Sequence, residues 1–88
     1  MECVTAGPNY DSATLHRVPY QGREITVRTT PILAGTLFVV HRVGVWSVQQ
    51  GRPAYMKVTP PTDMFGSEPE AVERGAALGR ALIDRGFA

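Results

Sequence analysis

The side chains able to do acid–base, nucleophilic or metal chemistry in this 88-residue chain are few and scattered. Cys3, His16 and His41 are the candidates for a metal. None falls in a Cys-x-x-Cys or His-x-x-x-His spacing, so no metal centre is expected. No serine occupies a Gly-x-Ser-x-Gly elbow, and Cys3 belongs to an N-terminal stretch without apolar periodicity. Glu68, Glu70 and Glu73 cluster, but at the start of a helix they match the positive end of its dipole better than a carboxylate pair for acid–base work. Gly44 and Gly51 are isolated turn glycines and form no phosphate loop. No catalytic residue and no cofactor is therefore expected, and an enzyme is the least favoured of the readings considered.

Charge offers a better lead. The net charge of +1 conceals an asymmetry. From residue 13 to 59 the cations are Arg17, Arg23, Arg28, Arg42, Arg52 and Lys57, against Glu24 alone. From residue 60 onward the acids prevail. A basic stretch beside an acidic one points to a partner rather than to a reaction.

These residues must be placed by a series of short strands and one helix. Residues 14–19 form a first strand, and Tyr20-Gln21-Gly22-Arg23 reads as a tight hairpin turn with Gly22 at positive φ. Residues 24–30 alternate, with Ile25 and Val27 on one face and Glu24, Thr26 and Arg28 on the other. Residues 31–35 connect to a third strand over 36–43, apolar on both faces as a central strand should be. Gly44 is expected to bulge or bend that strand before it resumes over 45–48. In a regular strand, either His41 or Arg42 would face inward. A last strand covers 54–59 and ends at Pro60-Pro61.

The C-terminal helix has both ends written into the sequence. Ser67 is an N-cap, Glu70 completes a capping box, and Pro69 falls in the first turn, where its missing N–H is harmless. Gly86 follows as the residue that can end the helix at positive φ, with Phe87 placed for a contact onto the last turn. Ala71, Val72, Gly75, Ala76, Leu78, Gly79, Leu82 and Ile83 share one face. Gly75 and Gly79 on that face either let the helix lie close to bulky sheet side chains or form a seam for a second helix, and the first is favoured.

The fold expected is α+β: an antiparallel sheet of three or four strands with one C-terminal helix across one face, in the order β-β-β(-β)-α. Residues 1–12 are expected as a flexible arm and 13–88 as a single domain. The N-terminus lacks a basic and apolar leader, and the window 32–48 is interrupted by His41 and Arg42. No signal peptide or membrane span is thus expected, and with one cysteine the expectation is a soluble, cytoplasmic protein.

The run from Tyr20 to Val27, then Phe65-Gly66-Ser67 and a helix with an alanine–glycine inner face, resembles a group of small uncharacterised bacterial β-β-β-α proteins with a Tyr-x-Gly hairpin. The likeness covers about residues 18–86 and implies architecture only. The element order is also similar to the β-β-β-α half of double-stranded-RNA-binding domains, but the clustered lysines those use at a helix start are missing here.

Two functions follow as expectations. The first is a non-catalytic protein-interaction module, self-associating as a homodimer or meeting another protein. Its patch would hold Phe38, Val45 and Trp46, because residues 38–48 carry more apolar bulk than an alanine–glycine helix face can cover. The alternative is a nucleic-acid-binding module. There Arg28, Arg42, Tyr55 and Lys57 would line the sheet face away from the helix and combine a π surface with charge.

Overall fold

A computed structural model describes residues 13–86. The expected arm (1–12) and the Phe87 contact lie outside the described residues. The elements are β1 Thr14–Tyr20, β2 Arg23–Ile32, β3 Leu37–Gln49, β4 Arg52–Val58, the two-residue β5 Met64–Phe65 and α1 Glu68–Asp84. The fold is the expected α+β arrangement. The sheet order is β1-β2-β3-β4, antiparallel throughout, and β5 pairs with the first part of β3.

Two of the hairpins turn on the same dipeptide. Gln21-Gly22 has φ values of 49° and 77°, and Gln50-Gly51 has 53° and 76°. Positive φ at both central residues is the signature of the turn whose twist matches that of the flanking strands. β2 runs two residues further than expected, through Pro31 and Ile32. Pro31 is tolerated there because β1 reaches only Thr29, which leaves that side of β2 unpaired at Pro31 among the described residues.

The bulge is not at Gly44. Arg28 pairs with Arg42 and Thr29 with Val40, so His41 is the extra residue in β3. Because the strand is irregular there, His41 and Arg42 are both exposed and neither points into the core.

Cross-strand partners share a face. On one side Val18, Ile25, Val45 and Met56 form a row, and His16, Val27, Val43 and Val58 form the next. α1 packs over this side, and Ile25, Val27, Val43 and Val45 are completely buried beneath it. Each such side chain contributes about 1.5–3 kcal/mol through burial. Both helical glycines serve the close approach. A Cβ at Gly75 would fall 2.7 Å from Val27 Cγ1, and one at Gly79 would fall 2.6 Å from Ile25 Cγ2.

Polar contacts fasten both ends of α1. At its start Ser67 is the N-cap and accepts from the Glu70 amide at 3.3 Å. Glu68 accepts from Thr29 Oγ1 at 3.1 Å and lies 3.2 Å from His16 Nε2. At the far end the Tyr20 hydroxyl donates to Asp84 at 2.9 Å, and Gly86 closes the helix at φ 83°. α1 is not long and apolar enough to cross a membrane.

Candidate nucleic-acid interface

The other side of the sheet is covered by no described element. Three cross-strand rows form the middle of this open face, flanked by Val48 and Pro53 at one end and by Thr30, Val39 and Met64 at the other. Pro19, Glu24, Trp46 and Tyr55 form one row; Arg17, Thr26, Gly44 and Lys57 the next; Leu15, Arg28 and Arg42 the third. At about 3.3 Å per residue, rows two residues apart are separated by about 7 Å. The aromatic row and the arginine row therefore lie about 13 Å apart.

Trp46 and Tyr55 meet as a cross-strand pair with ring centroids 4.7 Å apart and planes inclined at 47°. They remain 43% and 37% exposed. Aromatic pairs of this geometry hold each other in place while leaving ring surface to solvent. Gly44 is what admits the tyrosine ring: a Cβ there would lie 2.0 Å from the Tyr55 hydroxyl oxygen. The residue that seemed from sequence to bend the strand instead gives a side chain of the next strand room to lie flat.

Arg17, Lys57, Arg28 and Arg42 lie to one side of the pair, in the two rows that follow it. Among the described residues none of the four forms a salt bridge, whereas Arg74 pairs with Asp63 and Arg80 with Glu73. Arg28 and Arg42 stand directly opposite each other. Like charges in that relation destabilise a sheet. The Arg28 Nε is also buried without a hydrogen-bond partner among the described residues. Glu24 is the lone carboxylate in the three rows.

Arg28, Arg42, Tyr55 and Lys57, suggested by sequence alternation, thus share one face. The set Phe38, Val45 and Trp46 does not. Val45 is fully buried under α1 and Phe38 packs against that same core, while Trp46 points away from it. Those three fall on opposite faces of the sheet because Val45 and Trp46 are successive residues of one strand. Sequence reasoning missed Arg17, which only the β1–β2 register brings opposite Thr26. It also missed the partnership of Trp46 with Tyr55.

The opposite face offers little to chemistry. A cavity of about 330 Å³ is lined by His16, Glu68, Pro69, Val72 and Glu73. Thr29, the hydroxyl beside His16 and Glu68, is completely buried and out of reach of a substrate. Among the described residues no group of three or more metal-binding side chains comes together. No family model, curated protein or solved structure matches the chain.

Proposed function

We propose that the open sheet face binds single-stranded nucleic acid. What supports this is the half-exposed Trp46–Tyr55 pair beside four cations that have no acidic partner of their own among the described residues. Unstacked bases lie on the two rings, and Lys57, Arg17, Arg28 and Arg42 meet the phosphates that follow. Stacking on an aromatic side chain is worth about 1–3 kcal/mol per base, and it needs bases free of a duplex. A phosphate near Arg28 and Arg42 would also relieve their mutual repulsion.

Self-association has less support. A two-fold face-to-face dimer would cover the exposed Val48 and Met64, but it would also set the same four cations against their copies, with Glu24 as the carboxylate of those rows to offset them. Edge pairing is opposed by Pro19 in β1 and Pro53 in β4, the strands at the two ends of the β1-β2-β3-β4 order.

The test is fluorescence anisotropy of labelled single-stranded RNA and DNA of mixed sequence, titrated with protein at low and at moderate salt. Saturable binding that weakens with salt is expected, with a log–log slope of about −0.7 per phosphate contacted. Arg42→Gln should make that slope shallower by about one contact. Absence of binding at low salt overturns the proposal, and sedimentation of the same sample then asks whether the chain pairs with itself.

A further inference from the structure

Glu24 is the one carboxylate of the central open-face rows, and phosphate binding does not explain it. It stands directly opposite Trp46, is half-buried, and makes no hydrogen bond or ion pair among the described residues. A carboxylate repels phosphate, so the nucleic-acid backbone is turned toward the Lys57 and arginine rows. The base is left at the Glu24 end. Partial burial makes an unpaired carboxylate costly and strengthens any hydrogen bond it then accepts.

We infer that Glu24 selects guanine for the position stacked on Trp46; this rests on the single-strand reading above. An ionised carboxylate has only acceptors, and its two oxygens suit two adjacent parallel N–H donors. Guanine alone among the four bases presents such a pair, N1–H and the N2 amino group, on its Watson–Crick edge. Adenine and cytosine present one amino group next to a ring-nitrogen acceptor that the carboxylate repels. Uracil presents one N–H between two carbonyl oxygens. A base lying on the Trp46 ring directs its edge sideways within the plane of the face, and the neighbouring side chain on one flank of Trp46 is Glu24.

The experiment uses RNA oligomers of about ten nucleotides, matched to common site sizes. They are uridine throughout except for one central guanosine, inosine, adenosine or cytidine. Wild-type protein is expected to bind the guanosine probe about ten-fold more tightly than uridine alone, as a bidentate base contact discriminates. Inosine, which lacks the N2 amino group, should lose most of that advantage. Glu24→Gln should bind the uridine oligomer at least as well as wild type while losing the guanosine preference. Equal wild-type affinity for all probes overturns the guanine assignment and leaves the single-strand reading standing. So does a guanosine preference that survives in Glu24→Gln, including the case where loss of the charge tightens all probes alike. Failure to bind any probe overturns both.

Discussion

Alanine normally stabilises a helix when it replaces glycine, by about 0.8–1.0 kcal/mol. At Gly79 the opposite is expected. The new Cβ would lie 2.6, 3.0 and 3.1 Å from three carbons of Ile25, and carbon atoms settle at about 3.5–4.0 Å. The helix or the isoleucine must yield by about 1 Å. Ile25 is completely buried, and its branched Cβ restricts it to few rotamers, so it cannot swing aside. Overpacking of this kind costs about 1–3 kcal/mol. Set against the propensity gain, Gly79→Ala should therefore destabilise by about 1 kcal/mol, lowering the melting midpoint by about 4–8 °C. The assay is urea unfolding of wild type, Gly79→Ala, Ile25→Ala and the double variant. Ile25→Ala alone should cost about 2–5 kcal/mol. With that side chain gone, Gly79→Ala should turn stabilising, which gives a coupling of at least about 1 kcal/mol between the two sites. If Gly79→Ala stabilises the wild-type protein and shows no coupling to Ile25, the close approach of α1 to the sheet is refuted.

Two further outcomes are expected. Gly44→Ala would drive its Cβ into the Tyr55 ring, whose end lies on the open face and can move away. Thermal stability should change by less than about 1 kcal/mol while oligonucleotide affinity falls severalfold; a large stability loss would mean Tyr55 is locked in place. Tyr20 donates to Asp84, and that bond, together with desolvation, raises its phenol above the ordinary value of 10.0. A raised folded-state value means the contribution is fully present below pH 10.0 and is lost as pH climbs through the folded-state value. The stability advantage of wild type over Tyr20→Phe should therefore shrink with rising alkalinity. A difference in urea midpoint that stays constant with pH would count against the Tyr20–Asp84 bond.

Local signals carried most of the architecture. Alternation of apolar residues over 24–30 reports which side chains share a face, because the strand period is two. The Gln-Gly turns, the Ser67 cap and Gly86 are each decided by backbone preferences that act over three or four residues. The alanine–glycine stripe of α1 likewise announced a close contact before its partner was known. These features follow from the sequence itself.

What the sequence could not decide depends on register between strands. The displacement at Arg28/Thr29 makes His41 the extra residue and lets both His41 and Arg42 reach solvent. No local pattern encodes it, since it is set by how two distant segments bury Thr29, Val40 and their neighbours together. Gly44 carries the same lesson. Within its own strand it looks like a break, and only the tyrosine lying across it from β4 explains the missing side chain. The candidate site arises in the same way: Arg17, Glu24, Trp46 and Tyr55 come from four different strands, and hydrogen-bonded pairing between those strands sets them side by side. Composition and periodicity chose the elements and their buried faces. Tertiary pairing chose which exposed side chains became neighbours, because that depends on contacts between residues far apart in the chain.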